Sequence, residues 1–435
     1  MNSKFYGYQC SLCGARYSPE EITYTCPKDG GNLDVLLDYE GIQRHTSPED
    51  IFAGEERSLW RYLPLLPVAD PGGYGTPFRA AGGTPVFAPQ RLADELGMRY
   101  LWVKDESRNP TASFKDRASS VVVARARETG AKVVVTASTG NAGAALAGMA
   151  AAVGQEAVIF APKTAPPAKI AQLLIYGARV LLVDGTYDEA FDLTILAAQE
   201  FGWYCRNTGY NPFTAEGKKT AAFEIWEWER REARVENSKS DVRSRETNST
   251  LPLSSLDSPL SIFVSVGDGN IISGIHKGFK DLFALGWVER MPRIFGVQAE
   301  GSAAIANAFH AQSETITPVA ARTLADSISV DLPRDGVRAV RAARVTGGSY
   351  IVVSDEEILA AIAALGKVGI FAEPAGATSY AGLVKALSMG LIGRDGPVLV
   401  INTGSGLKDV KAAMQAAGEA PIIEPTLGAV KRALK

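Results

Sequence analysis

The chain has 435 residues, of which 46% are hydrophobic and 21% are charged, and its formal net charge is -3. This length is enough for two or three domains, and the weak negative charge gives no reason to expect a nucleic-acid partner. No apolar run approaches the roughly 20 residues that span a bilayer, and the first residues lack the pattern of a secretion signal. We therefore expect a cytoplasmic protein that binds neither nucleic acid nor membranes.

The first 45 residues are predicted to form a small zinc-ribbon-like module. Cys10 and Cys13 are followed by Cys26 and Asp29, so the spacing is that of a zinc ribbon with a carboxylate as the fourth ligand. Zinc binds thiolates and also accepts carboxylate oxygen. These four residues are therefore predicted to form a structural zinc site; the alternative is a ribbon that holds no metal and is stabilised by packing. Cys205, on a predicted strand, is expected in the core.

Short apolar segments alternate with helical segments from residue 131 onward. The strands are predicted at 133–136, 157–160, 179–183 and 203–205, and the helices at 142–152, 168–176 and 187–200. Further strands are predicted at 261–266, 293–298, 350–353 and 397–401. Such alternation indicates βαβ units. We predict an α/β fold with two open, mostly parallel, twisted sheets, helices on both faces of each, and a ligand-binding cleft between them.

Three domains follow from this pattern. The N-terminal module covers 1–45, a large domain covers 46–130 and 212–435, and a small α/β domain covers 131–211. Within the large domain, 233–259 is rich in Ser, Arg, Asn and Asp and has few residues that could be buried. Because such a composition does not offset the entropy lost on ordering, this segment is predicted to be a disordered insertion.

The chemistry is predicted to centre on Lys115, which lies in the segment Ser-Phe-Lys-Asp-Arg. Alone, a lysine in the first turn of a helix is ordinary. Three loops that each follow a predicted strand change this interpretation: 137–143, 266–271 and 402–409. Open α/β sheets bind ligands at the carboxyl ends of their strands, where glycine-rich turns and helix N-termini bind anions.

Together these segments provide an amine, a cradle for a carboxylate, a cradle for a phosphate and a hydroxyl group. This set fits pyridoxal 5'-phosphate better than a nucleotide, because the chain has no P-loop sequence. The chain has only three histidines, so it offers few candidates for a catalytic triad built on histidine.

These motifs resemble those of the threonine synthases, in the tryptophan-synthase-β-like (fold type II) family of pyridoxal-phosphate enzymes. The likeness extends over about 60–409 and is interrupted by the insertion. Its most specific parts are 109–117, 138–141 and 403–409, to which Asn211-Pro212, 216–220 and 373–375 add.

The resemblance implies a role for each matching residue. Lys115 binds the cofactor as an imine and, once released, removes the α-proton of the substrate. Asn141 contacts the ring hydroxyl, and Thr403 faces the pyridine nitrogen. The cofactor phosphate is bound by backbone N–H groups of Gly267, Asp268, Gly269, Asn270 and Ile271. The substrate carboxylate is bound by Ser138, Thr139 and Gly140.

The implied activity is that of a lyase which converts O-phosphohomoserine and water into threonine and phosphate. Three residues depart from the family pattern. Thr214 stands where an arginine usually binds the substrate phosphate, Ala142 stands where threonine is common, and Ser405 stands where histidine is frequent.

The departures at 214 and 142 keep several alternatives open. They are a threonine/serine or diaminopropionate-type ammonia-lyase, a β-replacement enzyme, and a pseudo-enzyme or binding protein, although the intact Lys115 argues against the last. The expected partner is a small amino-acid substrate. A homodimer is expected because it is the commonest oligomer.

Overall fold

The computed structural model describes residues 4–165, 167–239 and 258–434. The strands are β1 (Phe5–Cys10), β2 (Arg16–Tyr17), β3 (Leu33–Leu37), β4 (Val86–Phe87), β5 (Tyr100–Asp105), β6 (Val133–Ala137), β7 (Glu156–Pro162), β8 (Arg179–Val183), β9 (Tyr204–Cys205), β10 (Ser261–Ser265), β11 (Arg293–Ala299), β12 (Tyr350–Val353) and β13 (Pro397–Asn402). The helices are α1 (Tyr39–His45), α2 (Pro48–Ala53), α3 (Gln90–Leu96), α4 (Lys115–Glu128), α5 (Asn141–Ala152), α6 (Pro167–Ile175), α7 (Tyr187–Phe201), α8 (Phe213–Lys218), α9 (Thr220–Lys239), α10 (Asn270–Ala284), α11 (Ala304–His310), α12 (Gly336–Val345), α13 (Asp355–Gly366), α14 (Pro374–Ser388), α15 (Val410–Ala417) and α16 (Leu427–Ala433).

The larger sheet has six strands in the order β12-β11-β10-β13-β5-β4. All neighbouring pairs are parallel except β4 and β5, which are antiparallel. Every residue of β10 and β13 is buried, as expected for apolar strands of a parallel sheet that is covered by helices on both faces. These two central strands end at the loops that the sequence assigns to phosphate and ring binding.

The smaller sheet has four parallel strands in the order β8-β7-β6-β9. Its central strand β6 is fully buried and leads directly into the loop at 138–140. The two parallel sheets, their helices and the mostly parallel strand order confirm the predicted α/β fold class. The boundaries of the predicted domains stay a prediction.

The N-terminal module is a three-stranded antiparallel sheet in the order β2-β1-β3. It packs on the rest of the chain through polar contacts as well as apolar ones. The side-chain amide of Asn32 donates to the backbone oxygens of Gly209, at 2.6 Å, and Arg334, at 3.0 Å. Asp34 forms an ion pair with Arg338 at 2.7 Å.

The predicted insertion at 233–259 starts too early. Helix α9 continues to Lys239, so the prediction of disorder is wrong for 233–239. Four of its seven residues, an Ala, an Arg, a Glu and a Lys, are good helix formers, and the stretch extends a helix that is already anchored in the core. Residues 240–257, the remainder of the insertion except its last two positions, lie outside the described residues.

Cys205 is buried, as predicted. Among the helices of the described residues, none is long and apolar enough to cross a membrane.

Candidate active site

A cavity of about 450 Å³ lies at the carboxyl ends of β6, β10 and β13. This volume is in the range of small-molecule and cofactor sites. All eleven residues that the sequence assigns to cofactor and substrate binding line it: Lys115, Ser138, Thr139, Gly140, Asn141, Gly267, Asp268, Gly269, Asn270, Ile271 and Thr403. The fold thus brings these segments together, while the role of each residue stays a prediction.

The loop before Lys115 is fixed by the loop that follows β13. The Phe114 N–H donates to the Thr403 backbone oxygen at 2.9 Å, and the Ser405 N–H donates to the Ala112 oxygen at 3.1 Å. Ala112 has a φ of 64°, a left-handed conformation that a residue with a Cβ seldom adopts. No local residue pattern predicts this conformation. Helix α4 begins at Lys115 itself. The lysine therefore directly follows a turn that these two hydrogen bonds hold in place.

The Lys115 side chain is partly exposed to the cavity. Burial lowers the pKa of its amine, and the nearby positive charge of Arg206 lowers it further. Glu373 and Asp268 act in the opposite direction and raise this pKa. A lysine with a lowered pKa reaches its neutral form more readily, which both imine formation and proton abstraction require.

The loop after β10 requires glycine at two positions. A Cβ on Gly267 would lie 2.8 Å from the Cα of Ile328. Gly269 has a φ of 88°, and a Cβ there would lie 2.7 Å from the Asp335 backbone oxygen. Helix α10 begins directly after this turn and has no side-chain cap. Its N-terminal N–H groups and dipole therefore favour an anion at this end of the cavity.

The loop after β6 has the same arrangement on the smaller sheet. Helix α5 begins at Asn141 and has no side-chain cap, while the Ser138 hydroxyl accepts from the Gly140 N–H at 3.2 Å. The side-chain amide of Asn141 donates to Glu373 at 2.7 Å. Two uncapped helix N-termini thus face one cavity, one from each parallel sheet.

Glu373 is a cavity residue whose role the sequence did not predict. It is buried, and burial raises the pKa of its carboxyl to about 7, although the charge of Lys115 and the hydrogen bond from Asn141 act to lower it. Lys218 also lines the cavity without having been assigned a role. The only sequence signal for Glu373 was its place in a short motif shared with the resembled family.

Glu373 makes apo-protein stability depend on pH. A carboxyl whose folded pKa is raised above its ordinary value of 4.5 stabilises the fold at low pH, and this stabilisation is lost as pH rises through about 7. The free energy of unfolding of the Glu373→Gln protein relative to wild type should therefore increase from pH 4 to pH 8, by up to about 3 kcal/mol. Urea unfolding across this range measures it.

The control is Glu95→Gln, which changes an exposed carboxyl and should leave the pH dependence as in wild type. Parallel stability curves for wild type and Glu373→Gln would contradict the assignment of a raised pKa to Glu373.

The three residues that depart from the resembled family occupy different places. Thr214 is fully buried, and its hydroxyl donates to the backbone oxygen of Asn211 and contacts the side-chain oxygen of Asn270 at 3.1 Å. Ala142 lines the cavity. Ser405 lies in the turn that is bonded to the backbone of Ala112.

A second cluster of polar side chains lies in the N-terminal module. The ligand atoms of Cys10, Cys13, Cys26 and Asp29 all lie within 4.8 Å of one another. The Cys13 and Cys26 sulfurs are 3.8 Å apart, close to the roughly 3.8 Å between two sulfurs of a tetrahedral zinc site with Zn–S bonds of about 2.3 Å. The cluster therefore fits zinc in ligand type, number and separation. That it binds zinc stays a prediction.

The chain matches known proteins along nearly its whole length. Residues 78–404 match the family model described as "Pyridoxal-phosphate dependent enzyme". The threonine synthase of Methanocaldococcus jannaschii is 38% identical, over 98% of this chain and 99% of its own length. That of Methanosarcina acetivorans is 37% identical, over 99% of this chain and 98% of its own.

The chain belongs to the threonine synthase family of pyridoxal-phosphate-dependent enzymes. The predicted family, enzyme class and cofactor are thereby confirmed. Diaminopropionate ammonia lyase from Escherichia coli has a similar structure, with a TM-score of 0.63 at 20% identity over 86% of this chain and 94% of its own. Threonine deaminase isoform 2 from Solanum lycopersicum gives a TM-score of 0.62 at 22% identity over 86% and 90%. At these identities the likeness concerns the fold.

The cavity of this threonine synthase family member fits pyridoxal phosphate. Glycine at 267 and 269 lets this turn pack directly against the backbone of Ile328 and Asp335, and the neutral N–H groups at the start of α10 suit a bound phosphate. Thr403 places a neutral residue, not a carboxylate, at the end of β13. Lys115 and Asn141 line the same cavity, and their roles toward the imine and the ring hydroxyl stay predictions.

Proposed function

We propose that this chain converts O-phosphohomoserine and water into threonine and inorganic phosphate. The observation that carries the proposal is the pair of threonine synthases that match 98–99% of the chain at 37–38% identity. The cavity supports the proposal further, because every residue that the resemblance assigned to cofactor and substrate binding lines it.

Each residue around the cavity has its own role in this proposed reaction. Bound pyridoxal phosphate accepts the electron pair left when a proton is removed next to the substrate amine. The neutral amine of Lys115 takes this proton, and its lowered pKa favours the neutral form. The loop at 138–140 binds the substrate carboxylate at the N-terminus of α5. Asn141, which is held by Glu373, fixes the orientation of the ring.

One observation favours a second candidate, an ammonia-lyase that acts on threonine, serine or diaminopropionate. Thr214 cannot supply a positive charge, and its hydroxyl is used in bonds to Asn211 and Asn270. A substrate with a hydroxyl or amine leaving group needs no positively charged residue to bind a phosphate. The presence of Thr214 in place of arginine is therefore compatible with such substrates.

A panel of substrates separates the two functions. Purified holoenzyme is incubated with O-phosphohomoserine, L-threonine, L-serine and diaminopropionate, and phosphate, threonine and ammonia are measured. We expect equal amounts of phosphate and threonine from O-phosphohomoserine, with far slower ammonia release from the others. Ammonia release from an amino acid without phosphate release from O-phosphohomoserine would overturn the proposal in favour of the lyase.

The N-terminal cluster is proposed to hold one structural zinc ion. Asn32 of this module contacts the backbone of Gly209 and Arg334, and Arg334 lines the cavity, so a rigid module supports one wall of the site. Purified protein should contain about one zinc per chain. Cys26→Ser should lose it and unfold at lower urea concentration.

Metal analysis by mass spectrometry makes this measurement. Cys205→Ala is the control, because Cys205 is buried on β9 and is not a member of the cluster. Equal zinc content in wild type and Cys26→Ser, or none in either, would contradict the zinc site. A homodimeric state and a cytoplasmic location stay predictions.

A further inference from the structure

Most buried cations of the described chain have a carboxylate partner. The buried lysines and arginines are Lys104, Arg117, Arg206, Lys218, Lys219, Lys277 and Arg338. Five of them form ion pairs: Lys104 with Glu224, Arg117 with Glu106, Lys219 and Lys277 with Asp281, and Arg338 with Asp335. Arg206 and Lys218 form none within the described residues. An unpaired buried cation is unfavourable. Lys218 lines the cavity, and Arg206 donates to Thr208, which also lines it, so the two indicate an anion that comes from outside the chain.

Lys218 is the last residue of α8 and lines the cavity. Its side chain is fully buried, and its Nζ donates to the side-chain oxygen of Asn270 at 2.5 Å. Asn270 is held in place from its other end, because its amide donates to Asp335 at 2.7 Å. Burial lowers the pKa of Lys218 well below its ordinary value, and the charges of Lys115 and Arg206 lower it further. A bound dianion would reverse this effect.

Arg206 follows β9 on the smaller sheet and is fully buried. Its Nη1 donates to the hydroxyl of Thr208 at 2.7 Å and its Nε to Ser119 at 3.3 Å, while its Nη2 has no hydrogen-bond partner among the described residues. Thr208 lines the cavity. Burial lowers the pKa of Arg206 to about 10, while the nearby Tyr187 and Asp268 raise it. A guanidinium group with a free N–H is well suited to phosphate.

We infer that Lys218 and Arg206 form the charged part of a site for the phosphate group of the substrate, separate from the cofactor phosphate at 267–271. This inference rests on the proposed function. The loop at 267–271 offers its backbone N–H groups to the cofactor phosphate. Lys218 is bonded to this loop only through the side chain of Asn270, and Arg206 follows β9 of the other sheet. The two cations supply the charge that Thr214, on the same helix as Lys218, does not.

The test uses the holoenzyme and the variants Lys218→Met and Arg206→Met. Each should raise KM for O-phosphohomoserine at least about tenfold, because a charge-assisted hydrogen bond to phosphate is lost. Competitive inhibition by inorganic phosphate should weaken by a similar factor. The content of bound pyridoxal phosphate should stay at the wild-type value, and Lys218→Arg should recover part of the affinity.

Lys277→Met is the matched control. It removes a buried lysine whose partner Asp281 keeps its ion pair with Lys219 at 2.7 Å, and it should leave KM unchanged. If a methionine variant does not fold, Lys218→Gln, which keeps a hydrogen-bonding side chain, takes its place.

Two results would overturn the inference. The first is wild-type KM and wild-type inhibition by inorganic phosphate in both variants. The second is a loss of affinity for pyridoxal phosphate with KM unchanged at saturating cofactor, which would assign the two cations to the cofactor phosphate. Failure of the proposed function is a different result: the wild-type enzyme itself would release no phosphate from O-phosphohomoserine.

Discussion

Lys115→Ala is expected to lose turnover by at least about 10³-fold, because a positioned acid–base group alone contributes about 10² to 10⁴ and this residue also anchors the cofactor. The structure gives the reason: Lys115 begins α4, faces the cavity between the two parallel sheets, and has a lowered pKa. The rate of product formation at saturating substrate and cofactor measures the loss.

Lys132→Ala is the control for this variant, because Lys132 is an exposed lysine at the surface. It should keep wild-type turnover. A Lys115→Ala enzyme that formed product at the wild-type rate would contradict the assignment of Lys115 as the catalytic lysine.

The second large effect is expected on stability, from Arg117. This side chain is fully buried between two carboxylates: its Nε donates to Glu106 at 2.7 Å and its Nη1 to Glu224 at 2.6 Å. Lys104 also pairs with Glu224 at 2.8 Å. Removal of the guanidinium leaves two buried carboxylates with one lysine, so Arg117→Met should lower the free energy of unfolding by about 3–5 kcal/mol.

Urea unfolding of the apo-protein measures this change. The control is Arg91→Met, which removes an exposed partner of Glu95 and should cost less than about 1 kcal/mol. Because Arg117 lies two residues after Lys115, the variant should also bind pyridoxal phosphate more weakly. A change in stability as small as that of Arg91→Met would show that the buried network does not stabilise α4.

The fold and the main site segments could be predicted because each has a local signature. A β-branched run followed by a glycine turn and a helix places the loops at 138–140 and 267–271 on the same kind of sheet edge. In the folded chain, the carboxyl ends of the strands of the two parallel sheets meet at one cavity. The motif around Lys115 adds a nucleophile, and the spacing of Cys10, Cys13, Cys26 and Asp29 indicated a cluster that the structure assembles.

The remaining site residues could not be predicted because their environment is set by tertiary packing. Lys218 and Lys219 are adjacent in the sequence, yet Lys219 pairs with Asp281 while Lys218 faces Asn270 and the cavity. Glu373 has a raised pKa only because the fold buries it. The positive φ of Ala112 depends on contacts with a loop almost 300 positions away in the sequence. None of these features has a local pattern.

The most direct test of the account is to locate the cofactor on the chain. Borohydride reduction of the holoenzyme makes the link between lysine and cofactor permanent, and a tryptic digest is then analysed by mass spectrometry. The account predicts the added pyridoxyl mass on a peptide that spans 109–117, uncleaved at Lys115. The same mass on a peptide that contains Lys218, which also lines the cavity, or on no peptide at all, would contradict it.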